Sequence, residues 1–104
     1  MATTLEYADY VMDLLSELDD TSNRKMMGEY VLYYKGKVFG GIYDNRFLVK
    51  ITSHSSSMLS QEEIPYDGAK PMLLVDSEDK AFIKDLVDGM YDELPLPKPK
   101  KKKS

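Results

Sequence analysis

Arg24 to Ile51 reads RKMMGEYVLYYKGKVFGGIYDNRFLVKI, and the fold turns on this stretch. It contains three apolar runs, Met26–Tyr34, Val38–Tyr43 and Phe47–Ile51. Lys35-Gly36 separates the first two, and Asp44-Asn45 or Asn45-Arg46 the last two. Runs rich in Val, Ile, Tyr and Phe, joined by two or three turn residues, predict an antiparallel meander.

Strand parity then sorts the faces. A turn at Lys35-Gly36 sets Tyr33 opposite Val38 and Val31 opposite Gly40, and a turn at Asp44-Asn45 sets Ile42 opposite Phe47. Opposed residues share a face. One face therefore collects Val31, Tyr33, Val38, Ile42, Phe47, Val49 and Ile51, and is expected to be the core side. The other collects Tyr30, Leu32, Tyr34, Lys37, Phe39, Tyr43, Leu48 and Lys50, expected to be half-covered by a helix or used for binding. Gly40-Gly41, in the middle of a strand, suggests a bulge or the close approach of a helix or ligand.

Working outward, Thr3 or Thr4 caps a first helix with Glu6 in its first turn. Leu5, Ala8, Val11, Met12, Leu15 and Leu18 form its apolar stripe. Asp19 to Asn23 reads as the connection to the first strand. Beyond Ile51, Thr52–Ser57 reads as a mobile surface loop and Met58–Ile64 as a helical turn. Pro71–Val75 reads as a further strand, with Pro71 suited to an edge or to a strand's first residue. Asp76 or Ser77 caps a last helix with Phe82, Ile83, Leu86, Val87, Met90, Tyr91 and Leu94 on its apolar face. The fold class is α+β: an antiparallel meander sheet plus a later strand, with N- and C-terminal helices packed on it. Residues 1–94 are expected to form one domain, and 95–104, rich in Pro and Lys, a disordered tail.

Composition narrows the function classes. Residues 1–97 hold nine Lys/Arg against eighteen Asp/Glu, whereas 98–104 add five lysines, giving −4 for the chain. An acidic body argues against broad contact with a phosphate backbone, which needs a basic surface. The chain has no cysteine, which excludes disulfides and thiolate metal sites. No apolar run approaches the ~20 residues that span a bilayer, and the start lacks a secretion signal; a cytoplasmic location follows by default.

The elements, in this order, resemble the N-terminal domain of the TfoX/Sxy family. Arg24-Lys25-Met26-Met27-Gly28-Glu29-Tyr30 is similar to the family's R-K-M-F-G-G-Y strand entry, with Met27 where phenylalanine is common and Glu29 where glycine is common. Gly36-Lys37-Val38-Phe39-Gly40, Leu48-Val49-Lys50 and Lys70-Pro71-Met72 continue the match, so that it covers roughly residues 5–94. The resemblance implies a competence- or transcription-related regulatory domain with no catalytic residues to carry over. Longer family members add a C-terminal domain resembling helix-hairpin-helix modules; here a lysine tail follows instead.

No residue constellation points to catalysis, a cofactor or a metal. His54, the sole histidine, sits among serines, without the positioned acid and rigid nucleophile a triad requires. It reads as a solvated loop residue. Gly36-Lys37 lacks the upstream glycine and following Ser/Thr of a phosphate-binding loop. The chain is therefore read as non-enzymatic.

Partner binding has candidates. Arg24 and Lys25 read as edge charges or, with Lys50, as a basic corner for a partner or phosphate. Tyr30, Tyr34, Tyr43 and Phe39 read as packing residues or as a platform for stacked bases. Lys98, Lys100, Lys101, Lys102 and Lys103 read as solubility charges or as a weak, salt-sensitive DNA contact. The leading expectation is an adaptor acting through protein–protein contacts, self-association included. The alternative is an accessory nucleic-acid-binding protein that uses the tail and a Tyr/Lys sheet face.

Overall fold

A computed structural model describes residues 3–95. Six strands form one antiparallel sheet: β1 (Thr21–Met26), β2 (Glu29–Tyr34), β3 (Lys37–Ile42), β4 (Phe47–Val49), β5 (Glu62–Glu63) and β6 (Met72–Leu74). Their spatial order is β1-β2-β3-β4-β6-β5. The helices are α1 (Leu5–Leu14), α2 (Ser53–Met58) and α3 (Lys80–Met90), the last running into a 3-10 turn at Tyr91–Glu93. This is the expected α+β class, with a meander sheet and both terminal helices packed on it.

Three two-residue turns build the meander. Met27-Gly28, Lys35-Gly36 and Asp44-Asn45 all hold positive φ at both positions. That geometry matches the right-handed twist of the flanking strands. Asp44-Asn45, rather than Asn45-Arg46, is the last turn, closed by reciprocal bonds between Tyr43 and Arg46 at 2.9 and 3.0 Å. Met26–Tyr34 is not one run: Met27-Gly28 folds it, so that Thr21–Asn23, read as a connection, begins an edge strand.

A bulge in β3 overturns the expected face assignment. Tyr33 does pair with Val38, but Leu32 pairs with Gly40 and Val31 with Gly41, so Phe39 is the inserted residue. One extra residue exchanges the faces on one side of it. Tyr30, Leu32, Tyr34 and Phe39 consequently join Ile42, Phe47 and Val49 in the core, while Val31, Tyr33 and Val38 are only half-buried and Ile51 is exposed. The glycine pair has a distinct reason at each position. A Cβ on Gly40 would stand 2.2 Å from the Leu48 carbonyl oxygen, and one on Gly41 would meet the Tyr43 ring at 2.5 Å. The close approach is made by a strand and an aromatic ring, not by a helix.

Helix α1 supplies Ala8, Val11 and Leu14 to the core, with Leu15 and Leu18 just beyond it, whereas Leu5 is exposed. Its cap is Thr4, whose Oγ1 accepts from Tyr7 N–H at 3.2 Å. Helix α3 adds Ile83, Leu86, Val87 and Met90. Its cap is Asp79, later than either expected residue. Burying each large core side chain contributes about 1.5–3 kcal/mol. Lys37, almost buried, is satisfied by a bond from Nζ to the Tyr91 carbonyl at 3.1 Å and lies 4.1 Å from that ring's centre.

Residues 52–58 are not a mobile loop. Thr52 and Ser55 form a reciprocal capping box, which starts α2; such caps satisfy backbone donors that would otherwise lack partners. Glu93 adds a second cap, its two oxygens accepting from Ser53 N–H at 2.9 Å and His54 N–H at 3.0 Å. Those bonds, the one from His54 foremost, hold the Glu93 carboxyl below its ordinary value. A lowered folded value means stability that is complete above the ordinary carboxylate range and is withdrawn as pH falls through the folded value. Protection of the Ser53 and His54 amides, relative to their intrinsic exchange, is therefore expected to fall over that acid range, and Glu93→Gln to show the lowered protection already at neutral pH.

The His54 ring is packed on α3 and half-buried, not free in a loop. Its Nε2–H donates to the Asp85 carbonyl at 3.0 Å, and a Cβ on Gly89 would stand 2.2 Å from that nitrogen. Gly89 thus leaves space for the ring. Alanine in a helix interior gains about 1 kcal/mol over glycine, but here it displaces the ring. Gly89→Ala is expected to change stability little in the native sequence and to gain about 1 kcal/mol in a His54→Ala background, as read by chemical denaturation.

Candidate functional site: the uncovered sheet face

With the helices on one face, β2, β3, β4 and β6 turn the opposite face outward. Val31, Tyr33, Val38, Leu48 and Leu74 lie there by strand parity, Leu48 fully covered and the other four half-buried. Tyr43 and Tyr66 stand together at its centre, ring centroids 5.8 Å apart and planes inclined by 54°. Tyr43 packs over Gly41, and burial is the main cause raising its hydroxyl above the usual tyrosine value, followed by the charges of Tyr66 and Glu29. Tyr66 is 61% exposed.

Two hollows flank this pair. One, of about 650 Å³, has Val38, Ile51, Pro71 and Met72 in its walls and Lys50 and Lys70 among its lining residues. The other, of about 490 Å³, lies against Met26, Met27 and Val31. Met27 is fully exposed (100%) in the left-handed conformation, at the tip of the β1–β2 hairpin. An apolar side chain in such a place is uncommon, since asparagine, aspartate or glycine suits the turn better.

Polar clamps hold the tyrosines in position. Arg46 donates from Nε to the Tyr43 carbonyl at 3.2 Å and from its terminal nitrogens to Glu63 Oε1 at 3.3 Å and the Pro65 carbonyl at 3.1 Å. One guanidinium thereby ties Tyr43, just after β3, to the loop carrying Tyr66. Glu29 Oε1 accepts from Thr3 Oγ1 at 2.7 Å and from Asp44 N–H at 3.1 Å. The β3–β4 turn next to Tyr43 is pinned in this way to the start of the chain.

The structure divides the residues expected to bind a partner. Arg24 pairs with Val31 and so lies on the uncovered face, where Tyr43 and Lys50 also lie. Lys25 pairs with Tyr30 and lies on the helix-side face of the edge strand. Tyr30 and Tyr34 are buried in the core, and Tyr34 donates its hydroxyl to Asp88 at 2.8 Å. Lys98, Lys100, Lys101, Lys102 and Lys103 lie outside the described residues, as does most of the tail. Tyr66, Lys70, Met27 and the clamp residue Arg46 were not among the binding candidates expected from the sequence. The turn signal Asp67-Gly68 beside Tyr66 is the one feature of the sequence that could have placed this ring at the surface.

Charge is divided between the layers. Residues 21–75, which carry every strand, hold seven Lys/Arg and five Asp/Glu, a formal +2. Residues 1–20 and 76–97 hold two lysines and thirteen Asp/Glu, a formal −11. The helical layer is strongly acidic and the sheet layer is not.

Comparison with known proteins places these features. The model of the TfoX N-terminal domain matches residues 13–80, from within α1 to the start of α3. The chain belongs to the TfoX N-terminal domain family. This membership supports a regulatory, competence-related domain, and the family is not known as enzymatic. The chain is also 37% identical over 108 aligned positions to the "uncharacterized 12.7 kDa protein in trpE 5' region" of Spirochaeta aurantia, covering 100% of this chain and 94% of that one. No solved structure matches the chain significantly. For a TfoX N-terminal domain the matched span is informative: it contains all six strands, and so the whole uncovered face. Among the described residues no helix is long and apolar enough to cross a membrane.

Proposed function

We propose that this TfoX N-terminal domain is a non-enzymatic regulatory adaptor that docks a partner protein on its uncovered sheet face. The observation supporting this is the cluster of exposed apolar side chains around the Tyr43–Tyr66 pair, with Tyr66 at 61%, Met26 at 50%, Ile51 at 44% and Met27 at 100% exposure. Contiguous apolar surface of this kind on a small domain marks an interaction site, and tyrosine and methionine are enriched at such interfaces. The partner is a different protein or a second copy, the domain spans residues 1–94, and it acts in the cytoplasm.

A photo-crosslinking residue placed at Tyr66 tests this, with one at Asp9 on the acidic helix as control. Discrete protein adducts from position 66 and none from position 9 are expected. Adducts from position 9 alone, or none from either, would overturn the proposal.

Arg24, Lys50 and Lys70 have no ion pair among the described residues, and this favours a second reading, accessory binding of nucleic acid. That reading predicts affinity falling steeply with salt and weakening in a chain ending at Pro97, which lacks five lysines of the tail. Equal binding by that shorter chain would remove the tail from it.

A further inference from the structure

The larger hollow has a composition that specifies its occupant. Its walls are Val38, Ile51, Pro71, Met72 and the ring of Tyr66, while its lining includes Lys50 and Lys70 but no carboxylate. Neither ammonium group has an acid in ion-pair range among the described residues. Of the other cations on this face, Arg46 is bound to Glu63, and Arg24, on the edge strand, does not line the hollow. In a domain with twice as many acids as bases over residues 1–97, two unpaired lysines converging on one apolar hollow form a local positive site. An occupant that fits them is apolar in body and anionic at its rim.

We propose that this hollow takes an acidic peptide segment of the partner protein, an aromatic or aliphatic side chain filling the space beside Tyr66 while flanking carboxylates pair with Lys50 and Lys70. The inference rests on the docking reading above and adds the chemistry of the partner. Charge complementarity of this kind mainly sets association rate and specificity, while the buried apolar side chain supplies most of the affinity. A second copy of the chain meeting this face through its own positive face is disfavoured by like charge. Single-stranded nucleic acid fits less well. Tyr43 is laid over Gly41, and its plane is inclined by 54° to that of Tyr66, so the rings do not form a parallel platform for successive bases. A chain of phosphates would also meet the field of a helical layer whose formal charge is −11.

The test is a titration of the full-length protein, followed by backbone amide shifts. The ligands are a short blocked peptide alternating glutamate with phenylalanine and leucine, its analogue with lysine in place of glutamate, and an oligothymidylate. The acidic peptide is expected to shift Val38, Lys50, Tyr66 and Lys70 saturably, and the lysine analogue not to. The Lys50→Glu, Lys70→Glu double variant is expected to bind the acidic peptide roughly tenfold or more weakly with an unchanged melting temperature. Tyr66→Ala is expected to lose binding while keeping the fold, since that ring is largely exposed.

Equal binding of both peptides, or equal binding by the double variant, would overturn the charge assignment and leave the docking reading in place. Absence of binding to the acidic peptide, with protein adducts still formed from position 66, would do the same. Oligothymidylate bound at these residues in place of the peptide would overturn both. Absence of peptide binding together with absence of adducts would likewise remove both.

Discussion

Gly40→Ala is expected to destabilise the domain by about 3 kcal/mol, the upper end of what overpacking costs. The missing Cβ would stand 2.2 Å from the Leu48 carbonyl oxygen and 2.8 Å from the Val49 Cα. Both obstacles are backbone of the adjacent strand, so no side-chain rotation can relieve them. The strands must part or β3 must tilt, and either movement disturbs the β3–β4 pairing at the centre of the sheet. For a domain of this size such a loss is a large fraction of total stability. Urea unfolding at 25 °C measures it, and a loss under about 1 kcal/mol would show that Gly40 is not wedged against β4.

Phe39→Ala is expected to cost about 3–5 kcal/mol, the range for emptying a buried aromatic position. Phe39 has 0% exposure and is the bulged residue of β3. Its neighbour Val38 is half-buried on the opposite face. Val38→Ala is therefore expected to cost under about 1.5 kcal/mol, since little burial is lost. The comparison is a test of the bulge itself. Without the inserted residue the parity reverses, Val38 becomes the core residue and the order of the two costs inverts.

The same residue explains where the sequence could be read and where it could not. The strands, their antiparallel order and the flanking helices follow from apolar runs and turn residues, signals that are local in the chain. The faces do not, because a side-chain period of two amplifies one unpaired residue into an exchange of all residues on one side of it. Gly40-Gly41 did signal a bulge, but not which residue would be inserted. That single ambiguity put Tyr30 and Tyr34 among the binding candidates and Val31 and Val38 in the core.

Other misreadings have equally specific causes. Thr52–Ser57 lacks apolar periodicity, and its helix depends on the Thr52–Ser55 box and on Glu93 from the far end of the chain. Thr21–Asn23 is polar because an edge strand with little burial needs no alternation. The candidate site was only half legible for a related reason. Arg24, Tyr43 and Lys50 lie within the meander and could be placed on it, whereas Tyr66, Lys70 and Met27 reach the same face from turns and loops. Arg46 acts by bridging Tyr43, Glu63 and Pro65, a set of contacts far apart in sequence.

Which sheet face is open decides where a partner can dock, and tyrosine accessibility measures that directly. Under limiting iodination or with a soluble paramagnetic probe, Tyr66 is expected to react or broaden first, Tyr10 next, and Tyr30 and Tyr34 last, following exposures of 61, 39, 6 and 4%. That order would leave the Tyr43–Tyr66 face as the surface on which a partner docks. Rapid modification of Tyr30 and Tyr34 in the folded protein, with Tyr66 protected, would mean that the helices cover the other face, and the proposed docking site would fall with it.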